Sequence, residues 1–297
     1  MLGCLLSISI LFCLSAFGEI AENIDAGNNP AGKSPTTVWR ALLFVCHSID
    51  ADYTDKDGNP CHLTYTMSEK EVLDGVWSFE HFPSLANNYS NGEVTVEYEI
   101  VHYMEPIKTL ASIGNNFWWV SPENIRQGLQ DHAPSGAYDS VLVLWPQTDF
   151  STGEHIPSTG WGLANSGLDD SSGMTYCTVA NAATSIWKVP VVGEVWLHEW
   201  LHGICGFYQT IGYPMPKKDA DGGEDHGYSN SSDKGWKEFY CDLMTGHISE
   251  EGSNTGITPE AWRSGTILSH RNQVSVNPLS SGTFENNKQT ETNVGEK

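Results

Sequence analysis

The order of hydrophobic and polar positions divides the chain into short, distinct segments. Thr37 to His47 contains Leu42-Leu43-Phe44-Val45, an unbroken apolar run of strand length, and Ser140 to Trp145 is a second such run. Runs of this kind mark strands covered on both faces. Between them, Glu93 to Tyr103 sets Val94, Val96, Tyr98 and Ile100 at alternate positions, the pattern of a strand with one covered face. Ser68-Glu69-Lys70-Glu71 pairs a capping serine with a glutamate three residues on, which predicts a helix from Ser68 to Asn87. Ser121-Pro122-Glu123-Asn124 opens another helix, to Asp131, with serine at the cap and proline at the first helical position. This β-α-β-α-β order predicts an α/β (α+β) domain, a parallel or mixed sheet with covering helices.

Farther along, residues 146–173 are rich in glycine, serine and aspartate and read as a long loop, and Met174 to Val179 reads as a strand. The segment after Pro190 is different. Val191, Val195, Trp196, Leu197, Trp200, Leu201, Ile204 and Phe207 leave no polar face on a helix, and a helix that is apolar all round is buried. His198, Glu199 and His202 nevertheless lie inside it. Buried imidazoles and a buried carboxylate are costly unless paired or bound to metal. The spacing is H-E-x-x-H, which puts both histidines on one helical face, a turn apart. Two imidazoles so placed can reach one tetrahedral zinc, and Glu199 can reach a water on it.

With this motif the chain resembles the zincin metallopeptidases over about residues 190–208, and more loosely over 140–246. The resemblance implies a zincin-like mixed sheet with a buried active-site helix, His198 and His202 as zinc ligands, and Glu199 as general base. It implies hydrolysis of peptide bonds in a protein or peptide substrate. The substrate would lie along an edge strand before the helix, placed here near residues 174–181. The catalytic domain would span 37–272, its upper half about 37–206 and its lower half about 207–272.

A catalytic zinc takes three protein ligands and keeps one position open, and three residues compete for the third place. The metzincin continuation fails, because Cys205 stands where its glycine belongs and Tyr208 where its histidine belongs. Yet Asp242-Leu243-Met244-Thr245-Gly246 resembles a metzincin Met-turn, and a displaced histidine would then be His226, the leading candidate. Trp236, Phe239, Tyr240 and Leu243 instead recur at helical spacing and put Glu238 and Asp242 on one face, similar to the E-x-x-x-D of gluzincins, which points to Glu238. Gly222-Gly223-Glu224-Asp225-His226-Gly227-Tyr228 resembles the aspzincin G-T-x-D-x-x-Y, which points to Asp225. The Met-turn and helix readings exclude one another. Tyr228, with Tyr240, is a candidate hydrogen-bond donor to the transition-state oxyanion.

Composition removes other classes. A net charge of −22 over 297 residues provides no basic footprint for nucleic acid. There is no G-x-S-x-G elbow and no phosphate-binding G-x-x-x-x-G-K. The acidic run Asp50 to Gly58 is rich in oxygen donors but lacks the EF-hand glycine and terminal glutamate, so it reads as a solvated turn and leaves Ca2+ without support. Trp118-Trp119 reads as a core pair rather than a carbohydrate platform. Leu2 to Phe17 is apolar and uncharged, which makes residues 1–18 a secretory signal peptide, followed by a linker over 19–36; residues 273–297 lack a core pattern and read as a disordered tail. No run is a stable membrane span. Export predicts disulfides, with Cys46 facing Cys61 and Cys205 facing Cys177 or Cys241, and one thiol left over. The sequence therefore predicts a secreted zinc metalloendopeptidase. The rivals are a zinc hydrolase of another amide, in peptidoglycan or a glycoconjugate, and a non-catalytic binding protein on a zincin scaffold.

Overall fold

The computed structural model describes residues 36–169, 172–186, 191–231 and 233–276. The two apolar runs form adjacent parallel strands, β1 (Thr37–Cys46) and the later Ser140–Trp145. After β1 come a hairpin of β2 (Ser48–Thr54) and β3 (Pro60–Thr66), helix α1 (Glu69–Tyr89) and strand β4 (Val94–Tyr103), parallel to β1 on its other side. The short pair β5 (Ala111–Ser112) and β6 (Trp118–Trp119) precedes α2 (Arg126–His132), which leads into β7 (Ser140–Trp145). Strand β8 (Gly162–Leu168) runs antiparallel to β9 (Thr175–Ala180), which lies parallel to β7. The sheet order is therefore β4-β1-β7-β9-β8, a mixed α/β sheet of the class the pattern predicts. The chain continues through α3 (Asn181–Ile186), α4 (Glu194–Thr210), α5 (Lys237–Thr245), the pair β10 (Ile248–Glu250) and β11 (Ser253–Thr255), α6 (Pro259–Ser264) and α7 (Ile267–Val276).

Alternation along each strand sorts the core into two layers. Trp39, Leu43 and Val45 of β1, with Leu142 and Leu144 of β7, meet the apolar faces of α1 and α4. Leu42 and Phe44, with Val141 and Val143, face α2 and the hairpin. The capping box at α1 forms as the sequence predicts: Ser68 Oγ accepts from the Glu71 N–H, and Glu71 Oε2 accepts from the Ser68 N–H at 2.9 Å. Such caps contribute about 1 kcal/mol each.

Four expectations change. The acidic run expected to be a solvated turn is one only over residues 55–58; residues 50–54 belong to β2, in a hairpin in which Ile49, Ala51 and Tyr53 point inward at alternate positions. The edge strand is not 174–181: β9 is paired on both sides, and β8, from within the supposed loop, takes the edge. The five described cysteines are all free. Cys46 is buried in the sheet core while Cys61 lies across the hairpin from Tyr53, and burial pushes the thiols of Cys177 and Cys205 well up, which keeps them inert. Finally, Asp242 to Thr245 is the last turn of α5, closed by Gly246 in the left-handed conformation, and not a Met-turn loop.

The last helix runs to Val276, four residues beyond the boundary expected at 272. The expected signal segment, nearly all of the linker, Pro190, and the tail from 277 lie outside the described residues. No helix among the described residues is long and apolar enough to cross a membrane.

Candidate metal centre

Helix α4 carries the H-E-x-x-H residues, and its position is fixed by aromatic packing. Trp200 stacks on Trp262 with ring centroids 6.1 Å apart and meets Trp39 edge-on at 5.9 Å. Its indole N–H donates to Ser140 Oγ at 3.2 Å. Each large side chain buried this way contributes roughly 1.5–3 kcal/mol. Gly203 follows His202 directly and lets α4 lie against β9, since a Cβ there would collide with Thr175.

On this anchored helix the histidines project toward a 3-10 turn, Asp219–Asp221, that the sequence reading did not single out. His198 Nε2 and His202 Nε2 stand 3.3 Å apart. Asp221 closes the triangle, with Oδ1 3.4 Å from His198 Nε2 and Oδ2 3.9 Å from His202 Nε2. Ligand atoms of these three residues all lie within 4.8 Å of one another. The turn is reached through Lys218 and Asp219, both at positive φ (59° and 33°), a conformation that costs about 1–3 kcal/mol per non-glycine residue and concentrates at functional sites.

The other ring nitrogens face outward to partners. His202 Nδ1 is 2.5 Å from Asp219 Oδ1, and His198 Nδ1 is 2.9 Å from the hydroxyl of Tyr240 on α5. A carboxylate only accepts, so His202 carries its proton on Nδ1 and presents a lone pair at Nε2. Burial opposes charge on His202, but Asp219 outweighs it and raises the pKa. Asp221 is held below the usual carboxylate range, chiefly by its polar contact with His198.

Glu199 points to the same place from the neighbouring position, with Oε1 4.0 Å from His198 Nε2. It is 6% exposed, and burial raises its pKa, partly offset by the two histidines. The cover over it is Gly162, the first residue of β8: a Cβ at 162 would fall on the Glu199 carboxyl, far inside contact distance. Any larger residue there would force the Glu199 carboxyl to shift.

The donor set suits a divalent cation. Imidazole nitrogens and a carboxylate oxygen converge, and both imidazoles have outer partners, as metal-bound histidines do. Two ligand atoms about 2.0–2.1 Å from a tetrahedral zinc stand roughly 3.3–3.4 Å apart. The two edges at His198, 3.3 and 3.4 Å, are close to that spacing, and the His202–Asp221 edge, 3.9 Å, is longer.

The sequence candidates for the third ligand lie elsewhere. His226 is outside the cluster; its Nε2 is enclosed without a hydrogen-bond partner among the described residues. Asp225 pairs with Lys218 at 2.7 Å, and Glu238 is exposed on the first turn of α5. The Tyr228 hydroxyl donates to Asp242 at 2.5 Å, and the Tyr240 hydroxyl lies against His198 Nδ1. Asp219 and Asp221 had a faint signal in the sequence, two aspartates one residue apart before a double glycine, with no periodicity to tie them to α4.

No family model matches the chain, and no curated protein matches it. Among solved structures it is similar to metalloproteinase-II from Bacteroides fragilis, with a TM-score of 0.30 and 12% identity over 58% of this chain and 44% of that one. This chain thus spans less than half of that protein, and so faint a likeness carries no functional weight.

Proposed function

We propose that the protein is a secreted zinc-dependent metalloendopeptidase, with His198, His202 and Asp221 as the metal ligands and Glu199 as general base. The observation that carries this reading is the convergence of two imidazole nitrogens and a carboxylate beside a buried, adjacent glutamate. Asp221 takes the place for which His226, Glu238 and Asp225 compete in the sequence. When bound, the zinc supplies a Lewis acid that acidifies water and polarises a carbonyl. Glu199 accepts the proton of the attacking water and delivers it to the leaving amine. Its enclosure under Gly162 keeps bulk water from competing for that proton.

Strand β8 has one free edge in the sheet order, and its first residue covers Glu199. An extended peptide added to that edge hydrogen-bonds main chain to main chain and leads toward the catalytic carboxylate. Tyr228 has no part in this scheme, because its hydroxyl is engaged by Asp242. Residues 1–18 direct export, and residues 37–272 form the catalytic domain.

The test is a panel of unfolded proteins and peptides incubated with the zinc-loaded enzyme. Cleavage that a chelator abolishes and zinc restores supports the reading. Failure to cut any of them, with release of amide-linked fragments from peptidoglycan or glycoconjugates, contradicts it.

A further inference from the structure

Helix α4 grips α5 at two points a turn apart. Glu194 accepts from the Trp236 N–H at 3.2 and 3.3 Å, through both carboxyl oxygens, at the start of α5. His198, four residues on, meets the hydroxyl of Tyr240, four residues beyond Trp236. This turn-for-turn match fixes the register of the helices and sets the phenol behind the imidazole.

We infer that Tyr240 is a positioning residue for His198: its phenol oxygen accepts the Nδ1 proton and turns the Nε2 lone pair toward the metal position. The inference rests on the reading that this cluster holds metal. Tyr240 is 2% exposed, so water does not compete for the bond. The rings meet edge-on at 66°, which leaves the imidazole plane free to aim Nε2 at its neighbours across the cluster. The two ligands are then supported unequally. Asp219 backs His202 with an anion and makes it the more electron-rich donor. Tyr240 fixes tautomer and orientation of His198 while adding no further charge to a cluster that already holds Glu199, Asp219 and Asp221. A fourth carboxylate there would raise the repulsion that metal has to offset.

The experiment uses the full chain and Tyr240→Phe. Zn2+ affinity is measured by competition with a chromophoric chelator, the Co2+ form by visible absorption, and the metal-free proteins by thermal melting. Loss of the acceptor should lower Zn2+ affinity by roughly 10-fold or more, the range for outer partners of metal-bound histidines. It should also shift the Co2+ bands and leave the metal-free melting temperature unchanged. Unchanged affinity and spectrum would overturn the inference, as would a fall in melting temperature that accounts for the lost affinity. Should the variant fail to fold, the imidazole 15N spectrum of the metal-free wild type decides: a proton on His198 Nδ1 supports the inference, and one on Nε2 overturns it. Absence of metal binding by the wild type is a separate outcome that defeats the metal reading itself.

Discussion

His202 and Asp219 are joined by a 2.5 Å hydrogen bond from the imidazole Nδ1 to a carboxylate oxygen. The partner lies 17 residues downstream in a turn that also supplies Asp221. One short segment therefore provides both an outer support for one histidine and a proposed ligand.

Asp219→Asn keeps the shape and an acceptor but removes the charge. Zn2+ affinity should fall by about 10- to 100-fold, with little change in the fold. Chelator competition at constant pH measures this, and an unchanged affinity would show that Asp219 only tethers the turn.

Asp221→Ala removes the proposed third ligand, so stoichiometric zinc should be lost on dialysis. His226→Ala, Glu238→Gln and Asp225→Asn should each retain it. Metal analysis of the four variants separates the cluster seen in the fold from the candidates read from sequence.

Glu199→Gln preserves size and burial while removing the base. Turnover should fall by roughly 10²–10⁴-fold, the usual contribution of a general base. Zinc content and melting temperature should hold. Retained turnover in this variant would mean that another group moves the proton.

Gly162→Ala places a methyl on the Glu199 carboxyl. The crowding should cost about 1–3 kcal/mol of stability, and it should displace the base so that kcat falls. Denaturant melts and steady-state kinetics on the same preparation give both numbers, and a fully active alanine variant would remove Gly162 from the account.

Glu194 sets a pH dependence. Burial raises its pKa to about 7 in the folded chain, against the lowering effect of the Trp236 N–H and of His198. A carboxyl whose folded pKa is raised favours folding while it is protonated. Its contribution is complete below the unfolded pKa of about 4.5 and is lost as pH climbs toward 7. At about 1.4 kcal/mol per pKa unit, the loss is roughly 3 kcal/mol. Metal-free Glu194→Gln should therefore lose less stability than wild type between pH 5 and 7 in urea titrations. Parallel curves would show that Glu194 ionises normally.

Much of the sheet was legible because its strands bury long apolar runs. Leu42-Leu43-Phe44-Val45 and Ser140 to Trp145 have no other stable destination than a covered parallel sheet. The α4 motif was legible because its two histidines are local, one helical turn apart. What stayed hidden depends on close approach or distant closure. Strand β8 is built from Gly162, Leu163, Ala164, Asn165 and further small residues, whose weak strand preference is overridden by the need to fit against α4. The hairpin did carry its alternation in Ile49, Ala51 and Tyr53, but the acidic residues between them gave it the composition of a loop. Asp221 could not be found from spacing, since the turn that carries it folds back on α4 through Lys218 and Asp219 at positive φ. The Met-turn resemblance misled because a methionine before a glycine also ends a helix, with Gly246 supplying the left-handed residue.

In the proposed centre His198, His202 and Asp221 hold one zinc beside Glu199. The most direct measurement is a crystal structure of the zinc-loaded protein with anomalous data at the zinc edge. One zinc is expected at about 2.0–2.2 Å from the two Nε2 atoms and an Asp221 oxygen, with Glu199 near but not bound. Zinc ligated by His226, Glu238 or Asp225 in place of Asp221, or no zinc between the two histidines, would contradict it.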